Sequence, residues 1–341
     1  VIGAAIGGLA VFAIQWVDEI WQFLVLFGMV GALGFVAAGG FVTAIVVSKW
    51  FVRRRGRAMG FLTFGLANGG TIGTPVAGVL NSTVGWRTSW AFMGFFVWGL
   101  ILLPVAIFMR RKPEDFGMLP DGDQAPASEV IDRKSDVNNP DNEVTWTLKE
   151  AFKTRALWGV VLVVQLSQWG SGGIFIHEPA FFTDRGYSDW VGTLALTGHG
   201  FFAAIFGLLV GFVVEKVPVR YCMTAILLGC SLATIVMVNE SALWMVFFST
   251  GLLGGCLGAW VTLQPMIWGN YFGRQFVGTI RGATMPFNIF SMFMGPAMAG
   301  FMYDRYGSYT IAFTIYMVAW FLAAIAMFFV RPPVKATIAK G

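Results

Sequence analysis

Charged side chains are scarce in this chain: they make up 12% of its 341 residues, whereas hydrophobic residues make up 57%. A soluble domain carries about 25% charged residues, so the composition excludes an ordinary soluble globular protein and indicates a polytopic membrane protein. The net charge of +5 does not indicate nucleic-acid binding, because the basic residues cluster at the ends of apolar runs.

Cysteine is also rare, and the sequence lacks the common motifs of catalysis. Cys222, Cys230 and Cys256 lie in or beside apolar segments without metal-ligand spacing, which predicts buried thiols, no metal and no cofactor. No Gly-x-x-x-x-Gly-Lys-Ser/Thr loop occurs, so ATP-driven pumping has no support. Neither a Ser/His/Asp set nor a cluster of metal ligands is evident, so we do not expect an enzyme.

Ten apolar runs qualify as membrane helices, since a bilayer core of about 30 Å needs roughly 20 residues. They span approximately residues 1–17, 21–48, 58–82, 88–109, 157–181, 190–214, 221–239, 242–269, 278–302 and 308–330. The sequence therefore predicts an all-α polytopic membrane protein.

The basic residues predict the orientation of these helices. All but Arg87, Arg185 and Arg305 of the 23 Lys and Arg residues fall in alternate loops or in the C-terminal tail. Positively charged loops remain on the cytoplasmic side. We therefore expect the C-terminus to be cytoplasmic. We expect the protein itself to lie in the inner or plasma membrane of the cell.

One stretch of sequence occurs twice. Phe51 and Pro75 are 24 positions apart, as are Phe272 and Pro296, so a single offset of 221 aligns both pairs. A repeat at this period in an apolar chain indicates two homologous membrane halves.

The offset also predicts the domain organisation. It leaves residues 157–214 without a counterpart, so we expect an intact protein of twelve helices, six plus six, of which the first two are missing here. The predicted domains are an N-terminal bundle (1–109), a cytoplasmic linker (110–155), a C-terminal six-helix bundle (156–331) and a tail (332–341). Within the irregular linker, residues 146–152 could form a short amphipathic helix on the membrane surface.

Several motifs resemble those of the major facilitator superfamily. The loop from Gly211 through Glu215 and Lys216 to Arg220 resembles the superfamily's Gly-x-x-x-Asp-Arg-x-Gly-Arg-Arg loop, with Pro218 at the Gly position. Two stretches resemble the superfamily's Gly-Pro-rich helix motif. The first contains Gly69, Gly73, Pro75 and Gly78, and the second contains Gly295, Pro296 and Gly300. Residues 50–60, 85–87 and 177–188 resemble the monocarboxylate-porter and oxalate–formate-antiporter branch.

The resemblance implies a fold of two six-helix bundles that give alternating access to a central site. It implies that Gly211, Glu215, Lys216 and Arg220 form part of a cytoplasmic gate. A solvated, positive-inside loop without a switching role is the other interpretation of these residues. The Gly-Pro motifs would be helix-packing contacts.

Polar residues within the apolar runs are expensive and are therefore candidates for binding or coupling. His199 could take up a proton or bind a carboxylate, or could simply bond a backbone carbonyl. His177 and Glu178 precede Pro179, where we expect the helix to break; Glu178 could be a coupling carboxylate or could snorkel to the outer interface. The remaining candidates are Gln165, Gln168, Asn288, Gln264, Asn68 and Thr71, for each of which interhelical packing is the alternative.

One expected feature is missing. The resemblance implies an Arg or Lys in the eighth and eleventh helices, and we expect neither residue within the apolar parts of the matching helices at 190–214 and 278–302. We predict a monomeric secondary transporter for a small organic solute, most simply a monocarboxylate, driven by protons or exchange, with membrane lipid as its surroundings. The alternative is efflux of amphipathic or apolar compounds.

Overall fold

The computed structural model describes residues 1–110, 112, 113, 118, 120–122 and 145–335. The predicted irregular linker therefore lies largely outside the described residues. Every regular segment described is helical. The α-helices are α1 (Ile2–Ala13), α2 (Ile20–Phe23), α3 (Ala32–Ala38), α4 (Gly40–Trp50), α5 (Arg55–Val97), α6 (Leu103–Phe108), α7 (Leu148–Phe152), α8 (Arg155–Asp184), α9 (Asp189–Val213), α10 (Val219–Val238), α11 (Leu243–Phe272), α12 (Val277–Tyr306) and α13 (Thr310–Phe329).

Every predicted apolar run is helical over most of its length. Seven helical stretches of the described chain are long and apolar enough to cross a membrane, namely Ile20–Trp50, Val76–Phe108, Arg155–Asp184, Trp190–Val213, Val219–Val238, Leu243–Phe272 and Thr310–Phe329. Ile2–Trp16 is apolar but shorter. Helix α12 has 30 residues. Its sequence, which includes Asn288, is more polar than those of the seven stretches.

Three departures from regular α-helix shape these stretches. Wide π-helical turns occur at Leu24–Gly31 and Trp98–Leu102. Within α5, Gly85 takes φ +79° and ψ 161°, a conformation that strains residues with a side chain, so the chain turns there. Gly307 ends α12 in the left-handed helical conformation, with φ +66° and ψ 20°. The two glycine turns lie at corresponding places in the sequence repeat.

The chain forms two compact units, the first comprising Val1–Val52 and Gly65–Ala125. Within it, α1 packs against α3 through glycines, and a Cβ placed on Gly34 would overlap the backbone of Gly7. Close approach through small residues is how helices associate in lipid, where burial of apolar surface gives no driving force. Arg87 also donates to Asp18 Oδ1 at 2.8 Å.

A cavity of about 680 Å³ opens in this first unit. Its lining is apolar and aromatic apart from Asn81 and Ser89, and it includes Gly69, Gly73 and Trp90. These two motif glycines therefore border open space: a Cβ added to either would meet nothing within 4 Å. The side chains of Thr71 and Pro75 lie outside the described residues.

The second unit comprises Arg53–Phe64 and Pro126–Gly341. It thus takes in a short segment, 53–64, that the predicted domain boundaries placed with the N-terminal bundle. Its closest helix contacts again use glycine: Gly254 lies against the backbone of His199, and Gly258 against that of Ala203. These contacts hold α9 against α11.

The short helix predicted near residues 146–152 is present as α7. Thr147 caps it, because its hydroxyl accepts from the Glu150 backbone while Glu150 Oε2 accepts from the Thr147 backbone. These bonds, with Lys335 bound to Glu150, lower the pKa of the Glu150 carboxyl. Trp146 is buried and donates its backbone N–H to Phe272. Helix α7 is thereby fixed to the end of α11.

Candidate functional site

A buried pair of ionisable side chains joins α8 to α9. His199 Nδ1 lies 2.8 Å from Glu178 Oε2, and the side chains are 4% and 0% exposed. The interpretation of Glu178 as a residue that snorkels to the interface is therefore wrong. The alternative bond of His199 to a backbone carbonyl is replaced by a bond to a carboxylate.

Two further residues contact His199. The ring of Phe175 packs edge-on against the imidazole with centroids 5.5 Å apart, and Gly254 of α11 lies against the His199 backbone. The second carboxylate oxygen of Glu178 is buried, without a hydrogen-bond partner among the described residues. A buried carboxylate oxygen without a hydrogen-bond partner is costly.

Helix α8 does not break at Pro179, contrary to the sequence prediction. It continues as far as Asp184 with Pro179 inside it. A proline in a helix removes one N–H, which frees the carbonyl four residues earlier, here that of Phe175. The freed carbonyl and Glu178 therefore lie in the same weakened turn of α8. Nor do the glycines after Trp169 form a bend: Gly170 and Gly173 lie against the rings of Trp320 and Tyr316.

Four other polar side chains meet near the middle of α8 and α12. Gln168 Nε2 donates to Asn288 Oδ1 at 3.2 Å, and Ser291 Oγ donates to Gln165 Oε1 at 2.6 Å. All four residues are half-buried. We call this set, Gln165, Gln168, Asn288 and Ser291, the amide ladder. The structure thus brings together three of the predicted candidates and adds Ser291.

His177 contacts a different part of α12. Its Nε2 lies 3.2 Å from the carbonyl oxygen of Pro296, and its ring packs on Tyr309 with centroids 4.9 Å apart. His177 is therefore next to Glu178 in the chain but belongs to a separate cluster of contacts. Gln264 is half-buried on α11, and Asn68 lies on α5 in the first unit.

Arg281 corrects the conclusion that α12 offers no basic residue. It lies one turn inside Val277–Tyr306 and is 7% exposed. Position 281 lies inside the predicted span 278–302, so the expectation of no basic residue in this helix was wrong. A permanent cation is thus present in this helix, seven residues before Asn288.

At the other end of α9, segment 53–64 closes onto the unit through glycines. A Cβ on Gly56 would overlap the carbonyl oxygen of Gly211, and one on Gly211 would overlap that of Gly56. Beside this contact, Arg57 Nε donates to Glu215 Oε1 at 2.9 Å. Two of the four predicted gate residues, Gly211 and Glu215, therefore take part in an interhelical contact.

The other two gate candidates, Lys216 and Arg220, lie elsewhere. Arg220 stacks its guanidinium on Tyr221 at 4.5 Å and donates to that residue's hydroxyl at 2.6 Å. Lys216 lies in the turn between α9 and α10.

Segment 53–64 makes further contacts that the sequence did not predict. Arg55 is 3% exposed, and its Nη1 donates to Asn270 Oδ1 at 2.7 Å, near the C-terminus of α11. Deeper in, the Thr262 hydroxyl lies 2.9 Å from that of Thr63 and 2.8 Å from the Gly207 carbonyl. Because Thr262 has one proton to donate, Thr63 donates to Thr262 and Thr262 donates to Gly207. The basic run at 53–57 was visible in the sequence, but its partners lie more than 150 residues away.

A sequence model of the Major Facilitator Superfamily matches residues 1–198, more than half of the chain. The chain belongs to the Major Facilitator Superfamily. The superfamily's transporter fold accounts for the two helical units, and the relatives found are transporters rather than enzymes.

Among these superfamily relatives, the mouse "Monocarboxylate transporter 12" is 24% identical over 325 residues, covering 89% of this chain and 65% of the relative. The "Uncharacterized MFS-type transporter YcxA" of Bacillus subtilis is 23% identical over 264 residues, 72% of this chain and 57% of the relative. The chain thus spans about three-fifths of the length of these two relatives. A third, the "Probable anion transporter 5, chloroplastic" of rice, is 23% identical over 359 residues, 96% of this chain and 74% of the relative.

Solved superfamily structures share the fold. The proton:xylose symporter XylE aligns with TM-score 0.70 at 15% identity, over 96% of this chain and 80% of that one. The human organic anion transporter MFSD10 aligns with TM-score 0.68 at 15% identity, over 95% and 76%.

Proposed function

We propose that this protein is a secondary transporter that moves a small monocarboxylate across the membrane and is linked to protons. The observation that carries the proposal is the buried His199–Glu178 pair. Ionisable groups at mid-depth in a membrane helix are costly and are retained chiefly for ion or substrate movement. His199 is the eleventh of the 25 residues of α9, well inside the helix. The names of the mouse and rice relatives support an anionic substrate.

The pair can respond to protons because a proton gives the imidazole a positive charge but removes the negative charge of the carboxylate. A hydrogen bond between an imidazole and a carboxyl group lets one proton reside on either partner. Loss or gain of a proton changes whether the pair is ionic, neutral or repulsive. That change acts on the contact between α8 and α9, next to the turn that Pro179 weakens, and would bias the helices between two arrangements.

The Gly56–Gly211 contact supports alternating access by a gate at the other end of α9. We place this end on the cytoplasmic side, because it carries the basic loops. In this arrangement the Arg57–Glu215 ion pair, with side chains 44% and 18% exposed, holds the cytoplasmic end closed. The pair is accessible enough to break and reform during each cycle. The C-terminus is then cytoplasmic too.

Uptake by the purified protein in lipid vesicles tests the proposal. An inward proton gradient should drive accumulation of radiolabelled propionate. His199→Gln and Glu178→Gln should each reduce the stimulation by the gradient about tenfold, the size of a typical coupling energy. Ser231→Ala is a matched control, because it removes an interhelical bond, to Met317 O at 2.9 Å, elsewhere in the same unit.

The rival function is efflux of apolar or amphipathic compounds, and the aromatic cavity of the first unit favours it. Vesicles that extrude an uncharged amphipathic dye but ignore propionate would support this rival. If the proton gradient stimulated uptake by the His199 and Glu178 variants as much as by the wild type, the pair would have no proton-linked role.

A further inference from the structure

We propose that the amide ladder binds the carboxyl group of the substrate in its protonated, uncharged form. This inference rests on the proposed function, since it takes the substrate to be a monocarboxylate. It concerns which form of that acid the protein binds.

Position is the first argument for a ligand site. Gln168 is the fourteenth of the 30 residues of α8, and Asn288 is the twelfth of the 30 residues of α12. Both therefore lie near mid-depth, where transporters of this architecture bind substrates. The four side chains are half-buried rather than enclosed, so a solute can reach them. Purely structural polar bonds such as that of Thr262, which is fully buried, lack this access.

The hydrogen-bonding capacity of the ladder is the second argument. Its two internal bonds use the Ser291 proton, one proton of Gln168, and the carbonyl oxygens of Gln165 and Asn288. By the inventory of these side chains, the amide NH₂ groups of Gln165 and Asn288 and the carbonyl oxygen of Gln168 have capacity beyond those bonds. Donors and an acceptor therefore lie side by side.

This pattern matches a neutral carboxyl group. A carboxylic acid has one O–H donor and one carbonyl acceptor, so it can form two parallel hydrogen bonds to an amide pair. A carboxylate has only acceptors, and its lone pairs would face the carbonyl oxygen of Gln168. Leaving such polar groups mismatched in a site costs more than the bonds gain.

The charges around the ladder are distant. On α12 the nearest formal charge is Arg281, seven residues before Asn288, or about 10 Å at the helical rise. On α8 it is Glu178, ten residues after Gln168, or about 15 Å, and it is paired with His199. The other titratable residues on α8, α12 and the helices packed against them are Lys149, Glu150, Arg155, His177, Asp184, Asp189, Cys256, Tyr271, Tyr303, Asp304, Arg305, Tyr306 and Tyr316. Tyr316 is occupied by the carbonyl of Gly295. Arg281 is thus the main rival partner for an anion.

Transport of the neutral acid moves one carboxylate and one proton together. The proton joins the carboxylate on the side of entry, stays on the carboxyl group at the ladder and leaves on the other side. No net charge crosses the membrane. This proton is separate from the one that the His199–Glu178 pair gains and loses, which acts on the contact between α8 and α9.

Propionamide separates the two forms, because it has the shape and the donor–acceptor pair of propionic acid but stays uncharged at every relevant pH. The measurement is protection of the purified chain from thermal unfolding. We expect propionamide to protect equally at pH 5.5 and 7.5. We expect the apparent affinity for propionate to fall about tenfold for each pH unit above the pKa of the acid, as its neutral fraction falls. Gln168→Leu and Asn288→Ala should each abolish protection by both compounds, and Ser231→Ala should preserve it. Gln165→Ala is an independent variant should one of these fail to fold.

Better protection by propionate than by propionamide at pH 7.5, lost in Arg281→Gln, would overturn the proposal in favour of an anion site. Wild-type propionate uptake and pH dependence in Gln168→Leu would also overturn it, while the proposed function would stand. Absence of gradient-driven propionate uptake by the unsubstituted protein, with propionamide still protective, would instead overturn the proposed function and support a site for neutral ligands.

Discussion

Gly56 and Gly211 touch through their backbones, so that a methyl group on either would overlap the carbonyl oxygen of the other. Such an approach leaves no freedom for a side chain, and it holds segment 53–64 against α9. The Arg57–Glu215 ion pair lies beside it, and the hydroxyl chain from Thr63 to Gly207 lies deeper. Three kinds of contact thus hold one short segment.

Gly56→Ala should force this segment away from α9, because the obstructing atoms are backbone and cannot rotate aside. We expect a cysteine introduced at Thr63, which is 6% exposed, to react about tenfold faster with a water-soluble maleimide, reflecting a shift of about 1.4 kcal/mol toward the open arrangement. Gly65→Ala, on the same helix with nothing within 4 Å of its added Cβ, should leave the rate unchanged. Equal rates in both variants would argue against the contact.

Thr262→Val keeps the side-chain volume but deprives Thr63 of its acceptor and Gly207 of its donor. Interhelical hydrogen bonds in membranes contribute about 0.6 kcal/mol on average and up to about 1.7 kcal/mol. We expect a loss near the upper value, since Thr262 is fully buried. The check is thermal unfolding in detergent. Thr224→Val, which loses only a bond within its own helix, provides the comparison and should change stability less.

Gly295→Ala should be severe, while Gly300→Ala should be tolerated. An alanine Cβ at 295 would overlap the carbonyl oxygen of Trp169, whereas one at 300 would meet nothing within 4 Å. Overpacking of a tight contact costs about 1–3 kcal/mol. The yield of monodisperse protein and its unfolding midpoint should fall only for Gly295→Ala. Similar behaviour of both variants would contradict the packing described between α8 and α12.

Arg185 contacts three separate segments of the second unit. It pairs with Glu240 at 2.9 Å, donates to Thr310 Oγ1 at 3.2 Å and lies over the Phe181 ring at 4.6 Å. Arg185→Met should destabilise the unit by about 1–2 kcal/mol, less than for a fully buried pair because Arg185 keeps 28% exposure. Thermal unfolding of this variant and of Arg305→Met, a basic residue near the same end of the unit, measures the difference.

Burial raises the pKa of the Glu240 carboxyl, and Arg185 opposes that shift only in part. The folded protein therefore binds this proton more tightly than the unfolded chain does. The resulting stability is fully present below the unfolded pKa, near 4.5, and is lost as pH rises through the raised folded value. We expect Glu240→Gln to flatten the change in the unfolding midpoint between pH 4.5 and 7. An unchanged pH profile would show that Glu240 is not the group responsible.

The sequence by itself determined the class, the helices and the repeat of this protein. Twenty apolar residues can satisfy their backbone in lipid only as a helix, so composition and run length were sufficient to place α8 to α13. The positive φ angles of Gly85 and Gly307 suit the residue type found there, because glycine adopts them without steric cost. Arg281 lies inside the predicted span 278–302, so its presence in this helix could be read from the sequence alone.

Only the tertiary structure decided which polar residues meet. Glu178 and His199 lie 21 positions apart on different helices, and neither spacing nor hydropathy distinguishes a carboxylate that faces a histidine from one that snorkels to water. Helix rotation sets that choice, and rotation depends on where glycines such as Gly254 admit a neighbouring backbone. The same holds for Arg57 with Glu215 and for Gln168 with Asn288, which are partners separated by more than 100 residues.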